Sequence, residues 1–457
     1  MIPRPGMIPR PGMILRRILI ANRGEIALRI MRTCERLGIE TVLAVSAADR
    51  DSVAARRADR IVCIGAAPSH ASYLNVAAVV AAAQAVGADA IHPGYGFLSE
   101  NAALARACEA AGITFIGATI AQLTAVGDKL RARQHAADAG LPLVPGGAAA
   151  SREEARALAS SIGYPILIKA VAGGGGRGMQ RVDAAAGLDS AVDRSMAEAQ
   201  AAFGDARVYL ERYVAAGRHI EVQVLGDGER VIHLGTRDCS IQRRYQKLLE
   251  EAPAPQLPGA MRAAIESAAV AFAVHLGYRG LGTVEMLLDC ERDCFYFLEM
   301  NARIQVEHPV TEAICGLDLV AEQIAVAEGR ALPMTQEDVR CAGHAIECRI
   351  NAEDWRNDFQ PRPGHVDDAR FAAGAGIRVD TQVESGVDIP PYYDSLMAKI
   401  IVHGADRPAA LRRLAAALAA STIRGVPNTL DLHRAIVQDD EFAAGGVDTG
   451  FLERFLA

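Results

Sequence analysis

The sequence predicts an α/β protein of several domains that opens on a doubly wound parallel sheet. Three observations predict it. From residue 18 to 116 short apolar strands alternate with helical segments, the pattern of a parallel sheet with helices on both faces. From about Gly127 to Gly343 period-2 strands and Gly-rich loops take over. From His344 to Ala457 strands mix with an Ala-rich helix at Ala409–Ala420, an α+β arrangement. A chain of 457 residues is too long for one small core. Domains are expected at 13–126, 127–343 and 344–457.

In the first region Ile18–Ala21 reads as a strand. Glu25–Leu37 follows as a helix with Ile26, Ile30, Cys34 and Leu37 on one face and Arg29, Arg32 and Arg36 away from it, stopped by Gly38. Thr41–Val45, Ile61–Ile64, Ala90–His92 and Thr114–Ile116 are the remaining strands. Helices around Val76–Val86 and Ala102–Ala111 separate the later ones. The first strand–helix turn, Ala21–Gly24, holds a single Gly, so the dinucleotide fingerprint is absent there. This domain is Rossmann-like without that cofactor. Residues 1–12 repeat Met-Ile-Pro-Arg-Pro-Gly in tandem. Two Pro per unit exclude helix and central strand. The leader is expected to be a disordered extension, with Met13 as the functional beginning.

Composition excludes several classes. A net charge of −7 offers no basic face for nucleic acid and no support for an anionic membrane surface. No stretch of ~20 apolar residues exists, and the N-terminus lacks a signal peptide's apolar core. The nine cysteines show no CxxC pair and no zinc spacing. Cys290 and Cys294 flank a hairpin turn at Glu291–Asp293. The set reads as reduced thiols of a cytoplasmic enzyme.

The second region carries the chemistry. After the strand Pro165–Ala170 comes Gly173-Gly-Gly-Gly-Arg-Gly-Met179. Consecutive glycines let backbone N–H groups approach an anion. No helix opens here and no Lys-Ser/Thr follows, so the loop is neither a dinucleotide loop nor a Walker A loop. Met179–Val182 reads as a returning strand, which makes the loop a hairpin lid beside Lys169. Glu299-Met-Asn-Ala-Arg-Ile-Gln-Val-Glu307 alternates throughout, so as a strand it would put Glu299, Asn301, Arg303, Gln305 and Glu307 on one face. Upstream, Thr283–Leu287 and Cys294–Glu299 flank a turn. As a hairpin they bring Glu285 and Glu299 onto neighbouring strands. With Asn301 these form a hard-oxygen site suited to magnesium and phosphate oxygens. His219–Val224 is another period-2 strand, with His219, Glu221 and Gln223 on one face. Arg237–Lys247 is dense in donors for phosphate or bicarbonate, yet by itself reads as readily as a solvated loop. His92–Phe97 is a Gly/Pro turn after a strand, where an α/β sheet binds ligands.

Together these motifs resemble the biotin carboxylases of the ATP-grasp superfamily over nearly all of Met13–Ala457. The strings that carry the resemblance are Ala21–Ile30, His92–Asn101, Gly173–Met179, Arg237–Lys247, Glu299–Pro309 and Glu347–Glu353. It implies a Rossmann-like first domain, a central ATP-grasp domain with a mobile Gly-rich lid subdomain at about 142–213, and a C-terminal α+β domain. It implies that Lys129, Lys169, Gly175 and Gly176 contact the ATP phosphates and that Glu211, Arg212, Tyr213 and Val214 form the adenine hinge. His219 and Gln242 fall at ribose-side and site-lining positions. Tyr245 stands where many relatives have His, and Ala172 where the Gly run often begins. Glu285, Glu299 and Asn301 match the ligands of magnesium (or manganese). Lys247, Arg303, Gln305 and Val306 match the bicarbonate pocket, Glu307 the general base, and Arg349 the biotin contact, with Tyr95 nearby.

The activity so implied is ATP- and bicarbonate-dependent carboxylation of biotin through carboxyphosphate. This is the first half-reaction of acetyl-CoA carboxylase, in fatty acid biosynthesis, or of a related acyl-CoA carboxylase. The implied partners are a biotin carboxyl carrier protein, carboxyltransferase subunits and a second copy in a homodimer. No Met-Lys-Met biotinylation sequence occurs, so biotin is expected on another polypeptide or on a longer form of this chain. A different ATP-grasp ligase would share the lysines and carboxylates but has no use for Arg349. A non-enzymatic scaffold has no need for Lys129, Lys169, Glu285, Glu299, Arg303 and Glu307 together.

Overall fold

The computed structural model describes residues 14–171 and 179–457. The duplicated leader and the glycine loop, with Gly175 and Gly176, lie outside the described residues. The first region is a parallel sheet of β1 (Arg17–Ile20), β2 (Glu40–Ser46), β3 (Arg60–Gly65), β4 (Ala90–His92) and β5 (Thr114–Phe115) in the order β3-β2-β1-β4-β5. The order reverses between β1 and β4, and such a switch point opens a crevice at the strands' carboxyl ends. The turns after these two strands, which contain Asn22 and Tyr95, meet there. Asn22 Nδ2 donates to the carbonyls of Pro93 and Tyr95, both at 2.7 Å. Gly94 has φ +60, and a Cβ on it would lie 2.9 Å from Asn22 Nδ2, so only glycine fits this turn.

The helix Gly24–Leu37 ends at Gly38, left-handed at φ 69. Ile26, Ile30 and Cys34 are buried as the periodicity implies, but two placements differ from it. Leu37 is exposed, and Arg29 is buried. Arg29 is drawn inward by Glu312 at 2.6 Å and Asp318 at 2.7 Å, carboxylates nearly three hundred residues away. A helical wheel cannot see such partners. The short helices Val53–Arg57, Ile120–Gly127 and Lys129–Asp138 were not predicted.

The second region begins with a small antiparallel sheet of β6 (Gly146–Ala149), β7 (Ile166–Ala170), β8 (Gln180–Val182) and β9 (Val208–Arg212), ordered β6-β9-β7-β8. β7 and β8 pair antiparallel across the glycine loop, as the sequence predicts. Ile166, Ile168 and Leu210 pack against Ala155 and Ala159 of the helix Arg152–Ile162.

The large sheet contains β10 (Gly217–Asp227), β11 (Val231–Arg243), β12 (Gln246–Ala252), β13 (Arg279–Asp289), β14 (Cys294–Asn301) and β15 (His344–Asn351). The order is β14-β13-β10-β11-β12-β15, extended by the strands Leu396–Gly404 and Ile377–Thr381. All pairings are antiparallel. The third region therefore adds strands to the sheet of the second through the β12–β15 ladder. The helix Arg407–Ala420 covers its end, with Ala410, Leu414 and Leu418 in a core shared with Ile346, Ile400 and Val402.

Two site strings fold differently from their pattern. β14 stops at Asn301, and Glu307 is the N-cap of the helix His308–Cys315. Glu299–Glu307 is therefore a strand end, a loop and a helix start. Pro309 in the first helical turn enforces this, because it lacks an N–H for a ladder and suits a helix N-terminus. The run Arg237–Lys247 is the end of β11, a turn with Arg244 at φ 49 and Tyr245 at φ 68, and the start of β12. Arg237 does not reach the cavity. It is fully buried and donates to Glu221 (3.0 Å), Gln223 (2.7 Å), Thr311 (2.9 Å) and Thr283 (3.0 Å). Its removal strands a buried carboxylate. Arg237→Ala should lower unfolding free energy by about 3–5 kcal/mol, read as a shift in the urea midpoint. A change within experimental scatter would show that Glu221 is neutralised by Lys247 alone.

Candidate active site

A cavity of about 1600 Å³ lies where the small sheet, the large sheet and the turns after β1 and β4 converge. Of the described residues to which the resemblance gives a site role, only Glu307 is absent from its lining, and Glu307 sits just beneath it.

One end is lined by lysines. The helix Lys129–Asp138 is N-capped by Asp128, whose carboxylate accepts from Arg131 N at 2.9 Å, and it presents Lys129 to the cavity. β7 presents Lys169, whose Nζ donates to both carboxylate oxygens of Glu211 on paired β9 at 2.8 Å. Burial pulls Lys169 below the ordinary lysine range, and Glu211 offsets part of this. Arg212, Tyr213 and Val214 follow as the exit from the small sheet. The amides of Arg212 and Tyr213 donate to the carbonyls of Pro145 (2.9 Å) and Pro165 (3.0 Å). Gln242 Nε2 lies 2.8 Å from His219 Nδ1 and donates to Cys239 O at 2.6 Å. Tyr245 is 62 % exposed at the cavity rim.

The floor holds a row of carboxylates set by strand register. Glu221 of β10 is opposite Glu285 of β13, which is opposite Glu299 of β14. This is the hairpin juxtaposition that the sequence predicts. Lys247 bridges Glu221, Glu285 (3.0 Å) and Glu307 (2.8 Å). Burial opposes charge on Lys247, but the three carboxylates outweigh it and push its pKa up. His219 Nε2 stands 3.1 Å from Glu285. Burial would lower His219, yet Glu285 wins and raises it to about 9. Glu299 has less compensation. The charge of Glu285, then burial, raises it above the usual carboxylate range. Glu299, short of positive charge, and the opposed Glu285, with an amide oxygen on Asn301, are an oxygen set that fits a hard divalent cation such as magnesium.

The other end carries two arginines, Arg303 and Arg349. Arg303 donates to Glu100 (2.9 Å), Gln305 (2.8 Å) and Asn301 (2.6 Å), which fixes its guanidinium. Asn301 and Gln305 in turn donate to Glu285 at 2.9 and 3.2 Å. The Val306 carbonyl accepts from Lys399 at 2.8 Å. Lys399 pairs with Glu25 at 3.1 Å, and Glu25 accepts from the Tyr95 hydroxyl. Arg349 Nη2 donates to Glu307 at 2.8 Å, and Arg349 Nε donates to Glu250 at 2.6 Å. Burial works against ionised Glu307, but Lys247 and Arg349 outweigh it and hold Glu307 below its ordinary range. Burial raises Glu250 to about 7 against the pull of Arg349.

Five supporting groups lay outside the predicted site: Glu25, Glu221, Glu250, Glu100 and Lys399. Glu221 stands in a string read as a strand, Glu25 at the start of a segment read as a helix, Glu100 just past the turn read at His92–Phe97, and Glu250 three residues past Lys247. Each could have been suspected from its neighbours. Lys399 sits in an apolar strand with no signal beyond a charge in an otherwise buried run.

A small antiparallel sheet facing a large antiparallel sheet across a polar cavity is the arrangement of an ATP-grasp ligase. Residues 128–335 match the model of the carbamoyl-phosphate synthase L chain, ATP binding domain. Residues 14–123 match that of the biotin carboxylase N-terminal domain, and 347–454 that of the biotin carboxylase C-terminal domain. A biotin carboxylase of Nostoc sp. is 50 % identical over 439 residues, covering 95 % of this chain and 98 % of that protein. A pyruvate carboxylase subunit from Methanothermobacter thermautotrophicus is 47 % identical over 441 residues, covering 96 % and 89 %. The solved biotin carboxylase domain dimer of Hydrogenobacter thermophilus 2-oxoglutarate carboxylase, with MgADP, ADP and bicarbonate, superposes with a TM-score of 0.92 at 45 % identity, covering 97 % of this chain and 98 % of that one. The chain belongs to the biotin carboxylase family.

Proposed function

We propose that this enzyme uses ATP to activate bicarbonate and carboxylates biotin presented on a carrier protein. The observation that carries this reading is the sharing of one buried carboxylate, Glu307, between Lys247 and Arg349. Lys247 belongs to the carboxylate floor beside the lysine-lined end, and Arg349 to the strand β15. One carboxylate thus touches a group suited to each half of a two-stage transfer.

ATP lies with its phosphates toward Lys129 and Lys169 and its base at Glu211–Val214. ATP in place draws Lys169 from Glu211. Glu285 and Glu299, with Asn301, hold magnesium, which neutralises phosphate charge. Bicarbonate is bound by Lys247, Arg303, Gln305 and the Val306 backbone. Glu307, ionised at neutral pH, takes its proton. The freed oxygen attacks the γ-phosphorus, the bond to ADP breaks, and carboxyphosphate forms while Lys129 and Lys169 offset the charge. Carboxyphosphate splits into carbon dioxide and phosphate, and phosphate takes the proton from the ureido nitrogen of biotin. Arg349 stabilises the ureido oxygen as it becomes enolate-like, and the nitrogen captures carbon dioxide. The network Tyr95–Glu25–Lys399 holds the Val306 carbonyl in place during both stages.

Relatives named as a pyruvate carboxylase subunit and a 2-oxoglutarate carboxylase domain support the reading that one such module serves different acceptors. The acceptor is chosen by the partner carboxyltransferase, and an acyl-CoA such as acetyl-CoA is one candidate. The enzyme works as a homodimer, as the Hydrogenobacter domain is described. Among the described residues no helix is long and apolar enough to cross a membrane.

The reading is tested with free biotin in place of the carrier. ADP release should require bicarbonate and rise further with biotin. ADP release driven by an amino acid or amine, with no response to bicarbonate, would assign the chain to another ATP-grasp ligase.

A further inference from the structure

We propose that His135, Asp138 and His275 form a separate site for a divalent transition-metal ion of the zinc type. None of the three lines the cavity. One ligand atom from each lies within 4.8 Å of the other two. His135 Nδ1 and His275 Nε2 are 3.2 Å apart. The two nitrogens are within hydrogen-bond distance of each other, and two imidazole nitrogens about 2.0–2.1 Å from one tetrahedral zinc ion are about 3.3 Å apart, so an ion can replace the shared proton with little movement of the rings.

The backbone brings these groups together rigidly. His135 and Asp138 stand one turn apart on the helix Lys129–Asp138 and share a face. His275 is the last residue of the helix Gly259–His275. That helix is anchored one turn earlier by Phe272, fully buried with its ring 4.9 Å from that of Phe297. Ala136, beside His135, is likewise fully buried. Both helices end at the cluster, and the negative potential of two C-termini favours a cation. Gln134 Nε2 donates to Asp138 Oδ1 at 2.8 Å and orients the carboxylate.

Two imidazoles with one carboxylate select zinc, cobalt or nickel, and magnesium prefers an all-oxygen set. The magnesium that accompanies ATP is therefore no competitor here. The site is a clamp. It ties the far end of the helix that begins at Lys129 to a helix packed on the large sheet. Three protein ligands leave one position for water.

The test is a Co²⁺ titration of the full-length protein with the cavity filled by MgADP. One equivalent should bind with d–d absorption of nitrogen and oxygen ligands and no thiolate charge-transfer band. His275→Gln and Asp138→Asn should each weaken that equivalent at least about tenfold, and Zn²⁺ should raise the melting midpoint of the wild type but not of His275→Gln. Unchanged Co²⁺ stoichiometry and affinity in both variants would overturn the proposal. A thiolate band in the wild type would place the metal on cysteine instead and overturn it equally.

Discussion

Glu307→Gln should lower bicarbonate-dependent ATP hydrolysis by at least about 100-fold while nucleotide binding stays measurable. The amide keeps the size of the side chain and can still hydrogen-bond, but it cannot take the proton of bicarbonate. The expected loss is specific because Glu307 lies beneath the cavity, at the N-cap of the helix His308–Cys315, and not at the end lined by Lys129 and Lys169. The pKa direction adds a sign. Glu307 is held below its ordinary range by Lys247 and Arg349. Its base form therefore persists as pH falls through the usual glutamate range, and the loss of activity on this group's account comes only below it. Single-turnover ATP hydrolysis with and without bicarbonate measures the effect. A variant that keeps wild-type turnover would move the base elsewhere, with phosphate-bound water the next candidate.

Arg349→Ser should cut carboxylation of free biotin by about 100-fold or more, the scale of losing a donor to a developing oxyanion. Bicarbonate-dependent ATP hydrolysis should fall far less. The geometry sets how far apart the two losses can be. Arg349 also holds Glu307 at 2.8 Å, so some ATPase is lost with it. Lys247 remains on Glu307 at 2.8 Å and limits that loss. Glu250, already raised to about 7 by burial, can answer the loss of Arg349 by taking a proton. Carboxybiotin formation and ADP release measured on the same sample separate the two. Equal losses in both would remove Arg349 from the biotin role and leave it as a support for Glu307.

What the sequence made legible follows from range. Turn chemistry between two alternating segments is local, and it placed Glu285 against Glu299 correctly. The parallel sheet was legible for the same reason, since strand–helix alternation is written in consecutive residues. Arg29 was misread because its partners, Glu312 and Asp318, are close only in the folded chain. The straight strand expected from Glu299 to Glu307 failed through one residue whose signal was available. Pro309 two residues past Glu307 marks a helix start and argues against a continuing ladder. The Lys399–Glu25–Tyr95 connection was illegible altogether. It joins three distant segments, and a charge inside an apolar strand shows its purpose only when its partners are in view.

The β12–β15 ladder also bears on how this protein could have been assembled or recombined. Lys247 stands near the start of β12 and Arg349 on β15, and the two strands are hydrogen-bonded neighbours. A chain divided at the expected 343/344 boundary would leave β12 with a bare row of amides and carbonyls, a template for pairing with other molecules. The last hundred or so residues are thus no detachable module that could be exchanged to change the acceptor. Lys247 and Arg349 line one cavity from these two strands, so the cavity is completed only when both regions share the sheet.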